Sequence, residues 1–483
     1  MVSIGIDLGT TYSCVAIIEN DKPTAVHSDD GKYTIPSVVA FCDSEILVGN
    51  SALECNTELS NILYDSKRLI GWHILNDLPI ADDRQLWTFN ADTKNNSAGY
   101  VLNKGKPNER FVMPEEVSAE ILKYLKDQAE RYTKQKVTKA VVTVPASFND
   151  RQIAATKKAA EMAGLKLKDL LKEPTASILA YIDKFKLGRS KIMIFDFGGG
   201  TLDVSIAQIK QDGYELKAIT GDSHLGGQDF DSLIMKYVIG EFRKASDYDI
   251  YKKPRLIKRL RTECRNAKEF LSASDNTVNI HLDINDDVAI NVQLSMETFN
   301  DLCSDLFDRT MVYVDRALNM AQLPPDQLDY VILVGGSTRI PDIRQRLENK
   351  FGKDKLKFDI NPDEAVAYGA AIAANISKDG ITKKLMNLFR KPIKYEPLDE
   401  NPILFYRLAP PEWRQYASVA YFKGKLYCLG GEDPKKGEDT NRVDVLIDGK
   451  WQAGPAFPIP ISDVQTITCD EILYGHIIAY SLL

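Results

Sequence analysis

A glycine-containing hairpin that occurs twice is the feature that most constrains how this chain can fold. In the first copy, the turn Asp7-Leu8-Gly9-Thr10-Thr11 joins two apolar runs, and about 190 residues later the turn Asp196-Phe197-Gly198-Gly199-Gly200-Thr201 joins two more. The flanking runs cover residues 2–6, 12–18, 191–195 and 202–209. Each pattern predicts a β-hairpin, and the repetition predicts two similar lobes that face each other.

Helices follow the first hairpin. Pro114 suits the first turn of a helix, where a backbone N–H is not needed, and apolar residues then recur at helical spacing at positions 117, 121, 122 and 125. Asn149 is a favoured residue just before a helix, and Gly164 is a favoured residue just after one. Strands that alternate with such helices predict an α/β fold with helices covering the sheets.

Composition narrows the class of protein and its partners. The chain has 483 residues, 44% of them hydrophobic and 27% charged, which is typical of a globular protein of about three domains. The net charge of -7 is spread along the chain, so we expect no nucleic-acid partner. No apolar run reaches the ~20 residues of a spanning helix and no leader-like N-terminus is visible, so we expect no membrane association.

The cysteines indicate the compartment. They are seven in number, scattered, and without a Cys-x-x-Cys pair, which favours reduced thiols over a disulfide framework or a zinc site. We therefore expect a cytoplasmic protein, with the nucleus as an alternative.

The two turns carry residues suited to phosphate chemistry. Glycines allow backbone N–H groups to approach phosphate oxygens, and Asp7 and Asp196 are able to hold a hydrated Mg²⁺ ion. The hydroxyls of Thr10, Thr11 and Thr201 are placed to point into the same cleft. A plain hairpin turn is the alternative for one copy alone, and the presence of two copies favours the phosphate site.

Two further glycine pairs strengthen this prediction. Gly226-Gly227 precedes a predicted helix over 230–239, and Gly335-Gly336-Ser337 follows a predicted strand over 330–333. A glycine turn at a helix N-terminus is a favourable place for an anion. Each pair alone is weak, because tight turns need glycine anyway, but a nucleoside triphosphate requires several such contacts.

Six blocks of sequence, collinear over about four fifths of the chain, resemble the nucleotide-binding domain of the seventy-kilodalton heat-shock chaperones. The blocks are Gly5-Ile6-Asp7-Leu8-Gly9-Thr10-Thr11-Tyr12-Ser13, Lys67-Arg68-Leu69-Ile70-Gly71, Val142-Thr143-Val144-Pro145-Ala146, Glu173-Pro174-Thr175-Ala176, Gly198 to Asp203, and Asn361-Pro362-Asp363-Glu364-Ala365. The resemblance implies a two-lobed actin-like ATPase fold of the duplicated ribonuclease-H-like type, and slow, Mg²⁺-dependent hydrolysis of ATP to ADP and phosphate.

The resemblance also implies roles for individual residues. Lys67 would bring a cation to the β- and γ-phosphates and to the attacking water, and Asp203 would orient or deprotonate that water. Asp7, Asp196 and Glu173 would hold Mg²⁺ mostly through water, Thr201 would touch the γ-phosphate, and K⁺ would be a further cation. The implied nucleotide contacts are Gly9, Thr10, Thr11, Tyr12, Gly198, Gly199, Gly200, Thr201, Gly226, Gly227, Asp229, Arg265, Lys268, Ser272, Gly335, Gly336, Ser337, Arg339 and Asp363.

The chain departs from the family at the helix expected to hold adenosine. Where the family carries Glu, Lys, Arg and Ser, this sequence has Arg265, Lys268, Glu269 and Ser272, so two charges are reversed. Glu269 offers no planar cation for adenine to stack on. We expect Arg265 to take over that role, because Lys268, Ser272 and Arg339 are retained.

The partner surface differs as well. Ile153 and Asp169 stand where the family usually has arginine, and an aspartate repels the acidic partner that an arginine would attract. This argues against stimulation by a J-domain co-chaperone, although Pro145, the residue expected to relay between the lobes, is present. Nucleotide-exchange factors and unfolded client proteins stay among the partners implied by the resemblance.

The last hundred residues are of a different kind. Residues 378–411 mix lysines and arginines with five prolines, which predicts a linker in place of the family's acidic linker and client-binding domain. Residues 416–420, 424–431 and 443–445 with Trp451 resemble a single kelch repeat. We expect an ATPase domain over 1–377 (lobe I about 1–186 and 360–377, lobe II about 187–359), a Pro-rich linker over 378–411, and an all-β kelch-like segment, an incomplete propeller, over 412–483.

Three functions fit these patterns. The first is a heat-shock-type ATPase that acts in protein folding or stress response, and the second is a nucleotide-gated scaffold that does not hydrolyse ATP and recruits partners through its tail. The third is another actin-like protein, a sugar kinase or a filament former. The Lys67-to-Gly71 and Glu173-to-Ala176 blocks argue against a sugar kinase, which would need a sugar pocket with an aspartate base.

Overall fold

In a computed structural model the chain divides into two units, Met1–Ile393 and Lys394–Leu483. In the first unit the structure describes residues 2–72, 87–185, 187–210, 213–222, 224–246, 248–274, 276–285 and 288–375. In the second unit it describes residues 418–422, 425–429, 443–447, 450–453, 464–469 and 472–477. The predicted linker over 378–411 lies outside the described residues.

Two sheets with the same topology form the centre of the first unit. The first has the order β12-β11-β1-β2-β3, with β4 also paired to β2, and the second has the order β15-β14-β13-β18-β19. The strands of the first are β1 (Val2–Asp7), β2 (Tyr12–Glu19), β3 (Lys22–Ala25), β4 (Thr34–Pro36), β11 (Val137–Val144) and β12 (Lys166–Lys172). Those of the second are β13 (Lys191–Phe197), β14 (Leu202–Lys210), β15 (Gly213–Asp222), β18 (Tyr330–Val334) and β19 (Leu356–Lys357).

The strand directions match between the sheets. In each sheet, three successive strands form an antiparallel meander, β1-β2-β3 in the first and β13-β14-β15 in the second. The first strand of each meander also pairs in parallel with a later strand, β11 or β18, which in turn pairs in parallel with β12 or β19. Both predicted hairpins are confirmed as the first two strands of each meander, and the mixed α/β class is confirmed with them. The repeated hairpin was therefore the visible part of a larger repeated unit.

Helices cover these sheets. They are α1 (Asn50–Glu54), α2 (Ser66–Leu69), α3 (Pro114–Thr133), α4 (Asp150–Met162), α5 (Glu173–Phe185), α6 (Gly227–Ala245), α7 (Pro254–Ala273), α8 (Met296–Met320), α9 (Pro341–Phe351) and α10 (Ala365–Asn375). Pro114 begins α3 and the Asn149 side chain accepts hydrogen bonds from two backbone N–H groups at the start of α4, as predicted. Gly164, with φ of 67°, ends the turn after α4 in the left-handed region that suits glycine.

The predicted start of the helix after Gly226-Gly227 was wrong, and the structure after Gly335-Gly336 is not an α-helix. Helix α6 begins at Gly227, three residues before the predicted start at 230, because the Asp229 carboxylate accepts a hydrogen bond from the Gly226 N–H and closes the first turn early. Gly335-Gly336 does not open an α-helix, since a short 3₁₀ turn over Gly336–Arg339 separates it from α9. The second pair is thus a turn within a loop and not a helix N-terminus.

Short strands complete both units. In the first they are β5 (Val39–Phe41), β6 (Ile46–Val48), β7 (Ile62–Leu63), β8 (Asn90–Lys94), β9 (Ser97–Leu102), β10 (Arg110–Val112), β16 (Val278–Asp283) and β17 (Ala289–Leu294). In the second they are β20 (Ser418–Phe422), β21 (Lys425–Leu429), β22 (Val443–Ile447), β23 (Lys450–Ala453), β24 (Val464–Cys469) and β25 (Ile472–Ile477). Strands β20 to β23 form an antiparallel four-stranded meander, and β24 pairs with β25.

The core of the first unit is apolar and continuous with its sheets. Phe195, Phe197 and Phe230 are fully buried between the second sheet and α6, and Ile4 and Ile6 are buried in the first sheet. This burial fixes the strand ends from which the hairpin turns project. Across the residues whose structure is described, we find no helix with the length and apolar character needed to cross a bilayer.

Candidate active site

A buried ion pair lies between the two hairpin turns. Lys67, from the single helical turn α2, donates a 2.7 Å hydrogen bond through Nζ to Oε1 of Glu173, the first residue of α5. Only 10% of the Lys67 side chain and 7% of the Glu173 side chain are exposed. The two residues are far apart in the sequence, so the fold and not local structure creates the pair.

Three aspartates from the strand ends surround this pair. Asp7 ends β1, Asp196 lies near the end of β13, and Asp203 lies directly opposite Asp196 on β14. Removal from water and the negative charge of Glu173 raise the pKa of Asp7 to about 7, although Lys67 and a hydrogen bond from Thr143 oppose the shift. The same two causes raise the pKa of Asp203 to about 7, and they raise the pKa of Asp196 as well.

Lys67 is held in its charged form by these carboxylates. Burial alone would lower the pKa of its ammonium, but Glu173 and then Asp7 outweigh that effect and raise the pKa above its usual value. Lys67, together with Lys172 beside Glu173 and Asp203, thus faces four carboxyl groups, which leaves an excess of acidic groups in a place with little water. Such a site favours the binding of a further positive ion.

The residues fit a divalent cation held through water. Oδ1 of Asp203 is buried and has no hydrogen-bond partner, and an orphaned carboxylate oxygen of this kind is a ready acceptor for a metal-bound water. Among the described side chains, no group of three or more His, Cys, Asp or Glu lies close enough to ligate one metal ion directly. The prediction that Asp7, Asp196 and Glu173 hold the ion mostly through water stays a prediction.

The two hairpin turns touch each other above this cluster. A Cβ atom at Gly199 would lie 2.1 Å from Oγ1 of Thr11, and one at Gly200 would lie 2.7 Å from Cγ2 of Thr10. Glycine is therefore required at both positions by close packing against the opposite turn. Gly9 is similarly confined, because a Cβ there would lie 2.0 Å from the carbonyl oxygen of Tyr12.

The other two glycine turns pack onto the second hairpin. Gly227 N–H donates to the carbonyl of Gly198 at 3.0 Å, and the hydroxyl of Ser337 donates to the same carbonyl at 2.8 Å. Gly335 has φ of 83°, in the left-handed region, and a side chain there would strike the carbonyl of Phe197. All four predicted glycine turns are thus brought together around one space.

Polar side chains join the two halves of the site. The guanidinium of Arg68 donates to the carbonyl of Gly200 at 3.1 Å. The side-chain amide of Gln228, at the start of α6, donates to Oγ1 of Thr11 at 3.2 Å and to Oδ1 of Asp65 at 3.0 Å. These contacts set the distance between the hairpins.

Helix α7 forms one wall of the site through a buried charge cluster. Nζ of Lys268 lies 2.7 Å from Asp231 and donates a 2.7 Å hydrogen bond to the carbonyl of Gly227. Nε of Arg265 lies 3.6 Å from Asp231, and its guanidinium lies 6.0 Å from the centre of the Tyr12 ring. Arg265 therefore reaches the first hairpin from the opposite side of the cleft.

Among the remaining residues predicted to contact nucleotide, some lie at the edge of the site, whereas one is hydrogen-bonded within its own helix. Arg339 lies 2.9 Å from Asp363 and donates a 2.6 Å hydrogen bond to the Asn361 side chain. Arg339 and Asp363 therefore lie at the same edge of the site. Ser272 is on the expected helix, but its hydroxyl donates to the carbonyl of Lys268 in the preceding turn at 2.9 Å. The Ser272 hydroxyl is thus directed along its own helix.

Comparison of the sequence with known families decides where the chain belongs. The sequence model of the family described as Hsp70 protein matches residues 3–389, which is most of the chain. The chain belongs to the Hsp70 family. The Hsp70 match covers both sheets and every residue of the site described above.

Similar proteins agree with this membership. The chain is 40% identical over 394 residues to Heat shock cognate 70 kDa protein 3 of Dictyostelium discoideum, covering 80% of this chain and 62% of that protein. It is 42% identical over 377 residues to Heat shock 70 kDa protein BIP3 of Oryza sativa subsp. japonica, covering 77% and 56%. The chain therefore spans about three fifths of the length of these Hsp70 relatives.

Sequence reasoning missed several residues that build the Hsp70-like site. Asp231 anchors both Lys268 and Arg265, Thr143 donates to Asp7 at 3.2 Å, and Gln228 bridges the hairpins. Lys172, the residue directly before Glu173, donates hydrogen bonds to backbone carbonyls of the turn at 145–148. Thr143 lies in one of the six resembling blocks but had no role assigned to it, and no local pattern marks the others, because each is defined by partners far along the chain.

Proposed function

We propose that the Hsp70-like part of this chain binds ATP with Mg²⁺ and hydrolyses it to ADP and phosphate, and that the protein acts as a heat-shock-type ATPase in protein folding or stress response. One observation carries the proposal. The Lys67–Glu173 pair and three aspartates with raised pKa values lie next to the glycine turns of both hairpins. One oxygen of Asp203 is also buried without a hydrogen-bond partner. Family membership supports the same conclusion.

The glycine turns and hydroxyls would position the phosphates. The backbone N–H group of Gly199 would face phosphate oxygens, and the hydroxyls of Thr10, Thr11 and Thr201 would add neutral donors. Lys67 would place its charge on the β- and γ-phosphates. Since phosphoryl transfer depends mostly on positioning and charge, this set requires no nucleophilic side chain.

The acidic cluster would have two functions, to hold a metal ion and to accept a proton. Asp7, Asp196 and Glu173 would hold Mg²⁺ mostly through water, and the bound ion would neutralise charge on the phosphates. Asp203 is suited to accept the proton of the attacking water. A carboxyl group with pKa about 7 is partly ionised at neutral pH and is a stronger base than an ordinary aspartate.

The wall formed by α7 would hold the nucleoside. Arg265, positioned by Asp231 and beside the Tyr12 ring, would supply the planar cation that Glu269 lacks. This end of the site would be completed by Lys268, Ser272, Arg339 and Asp363. Lys268 and Ser272 also donate hydrogen bonds to the backbone carbonyls of Gly227 and Lys268, respectively. A slow rate and a K⁺ requirement belong to the same proposal.

Partners follow from the family with one exception. We propose unfolded client proteins and nucleotide-exchange factors as partners, and neither nucleic acid nor a membrane. J-domain stimulation is not expected, because Ile153 lies on α4 and Asp169 on β12 where the family usually has arginine. We propose a cytoplasmic or nuclear location and the domain limits given by the sequence.

A second function is a scaffold that binds nucleotide without hydrolysing it. The observation in its favour is the antiparallel four-stranded meander of β20 to β23, since one kelch blade has four such strands. In this alternative the segment over 412–483 recruits a partner, and the ATP site only gates that interaction.

Single-turnover hydrolysis separates the two functions. The full chain, in excess over labelled ATP, is incubated with Mg²⁺ or with a chelator, and nucleotide binding and ADP formation are both followed. We expect binding in Mg²⁺ and conversion to ADP that stops when the chelator is added. Binding with no ADP formed in Mg²⁺ would instead support the scaffold, and no binding at all would refute both.

A further inference from the structure

Two cysteine side chains meet on the edge of the first unit, away from the candidate active site. Cys42 directly follows β5, and Cys55 caps the C-terminal end of α1. Both side chains are half-buried and pack against the same small apolar cluster, which comprises Val38, Ala40, Ala52 and Ile62. Cys55 is a neighbour of the Cys42 thiol, whose pKa is raised by burial first and by Cys55 second.

The backbone between them is a closed loop with both ends fixed. Strand β5 pairs with β6, and the turn between them is closed by a 3.0 Å hydrogen bond from the Cys42 N–H to the Glu45 carbonyl. The chain then returns through α1, where Sγ of Cys55 donates to the carbonyl of Ala52 at 3.2 Å. The fold thus holds Cys42 and Cys55 against one apolar cluster without any covalent link.

The other cysteines of the first unit lack this arrangement. Cys14, Cys264 and Cys303 are almost fully buried, and burial raises the pKa of each thiol. A buried protonated thiol is a poor nucleophile and is shielded from reagents. Within the described residues, Cys42 and Cys55 therefore combine exposure with a neighbouring thiol.

We propose that Cys42 and Cys55 are a redox-active dithiol that low-molecular-weight disulfides, of the glutathione class, convert reversibly into an intramolecular disulfide. The Cys55 thiolate attacks one sulfur of the reagent, and the second sulfur leaves as a thiolate. Cys42 then loses its proton and attacks Cys55 in the mixed disulfide, which releases the other half of the reagent as a thiol. The protein loses two hydrogens, and one reagent disulfide becomes two thiols.

The order of attack follows from the surroundings. Burial, and then the charge of Cys55, raise the pKa of the Cys42 thiol, so Cys42 is mostly protonated at neutral pH. It is suited to the second, intramolecular step, in which the partner sulfur is already adjacent. Cys55 is near a cation, because the ammonium of Lys258 interacts with it by charge.

The dithiol lies beside a contact between α1 and α7. Nζ of Lys258, on α7, donates a 2.6 Å hydrogen bond to the carbonyl of Leu53, two residues before Cys55. Helix α7 is also the wall that carries Arg265 and Lys268. Closure of the disulfide replaces the Cys55–Ala52 hydrogen bond next to this contact, so the α1–α7 contact lies beside the reaction.

Peptide mapping of the full chain tests the proposal. Reduced protein is equilibrated with oxidised and reduced glutathione, blocked with an alkylating reagent, and digested without reduction. No Lys or Arg lies between Tyr33 and Lys67, so trypsin releases both cysteines in one peptide, whereas cleavage after Glu45 and Glu54 separates them. We expect the tryptic peptide to lack both alkyl groups and the glutamate-cleaved pair to separate only after reduction.

Single variants supply the controls. Cys42→Ser should abolish the internal link and trap glutathione on Cys55, and Cys55→Ser should abolish the link with little glutathione on Cys42, whereas Cys303→Ser should leave the link intact. Two alkyl groups on the 33–67 peptide, at a glutathione ratio that fully oxidises a small dithiol standard, would overturn the proposal. A link from Cys42 or Cys55 to any other cysteine would overturn it equally.

Discussion

At the scale of single residues, the pKa of the buried carboxyl groups makes stability depend on pH. Asp203 has a pKa of about 7 in the fold, above the ordinary aspartate value of 3.8, so the folded chain keeps a proton that the unfolded chain has already released. The stabilising contribution of this proton is present at acidic pH and is lost as the pH rises towards and through about 7. Asp7 behaves in the same way.

Replacement of Asp203 by Asn removes one of these titrating groups. The metal-free, nucleotide-free wild type should therefore lose more stability than Asp203→Asn when the pH rises from about 5 to about 8, by up to about 2.5 kcal/mol. Urea denaturation at both pH values measures this difference. Equal losses in the two proteins would show that Asp203 is already ionised at acidic pH in the folded state.

The position of Arg265 gives a second prediction at this scale. Its guanidinium lies beside Tyr12 and is anchored by Asp231, so Arg265→Glu would bring a negative charge next to Asp231 and remove the cation from the nucleoside end. We expect nucleotide affinity to fall about tenfold or more, the loss of one charged contact. Arg255→Glu, on an exposed position of α7, should leave affinity unchanged; nucleotide titration in which both variants bind like the wild type would refute the assignment of Arg265.

At the scale of elements, the close approach of the hairpin turns predicts which glycine can be replaced. A Cβ at Gly199 would overlap Oγ1 of Thr11, so Gly199→Ala must push the two turns apart and should reduce ATP affinity at least tenfold. Gly240, within α6, has open space around it, and Gly240→Ala should keep affinity and add up to about 1 kcal/mol of stability. Calorimetric titration of both variants checks this; unchanged affinity in Gly199→Ala would mean that the turns separate freely.

Elements also show what could be predicted from the sequence. The hairpins, the start of α3 at Pro114 and the cap at Asn149 were predicted, because alternation, proline and cap residues act over a few positions. The start of α6 was placed too late, since it depends on a reciprocal bond between Asp229 and Gly226 that competes with ordinary glycine flexibility. Asp231 left no local signal, because its importance comes from Lys268 and Arg265 on another helix.

At the scale of the whole molecule, one topology used twice explains why the site is where it is. Each sheet has an aspartate at, or one residue before, the end of its first strand, and the two strand ends face one space between the halves. The register places Cys14 opposite Asp7 and Asp203 opposite Asp196, so the second copy carries the extra carboxyl group. Similar strands thus supply different chemistry from the two sides, which the repeated turns alone did not reveal.

The central claim is that this joint site hydrolyses ATP with Lys67 as its cation. Lys67→Ala leaves Glu173 buried without its ion-pair partner and removes the charge from the phosphates, so hydrolysis should fall by about a hundredfold or more. Lys157→Ala, at an exposed position of α4, is the matched control.

Single-turnover hydrolysis of ATP in Mg²⁺, with nucleotide binding measured on the same samples, tests this claim most directly. We expect wild type and Lys157→Ala to form ADP at the same rate, while Lys67→Ala binds ATP and forms ADP about a hundredfold more slowly or not at all. Equal rates in Lys67→Ala and wild type would contradict it.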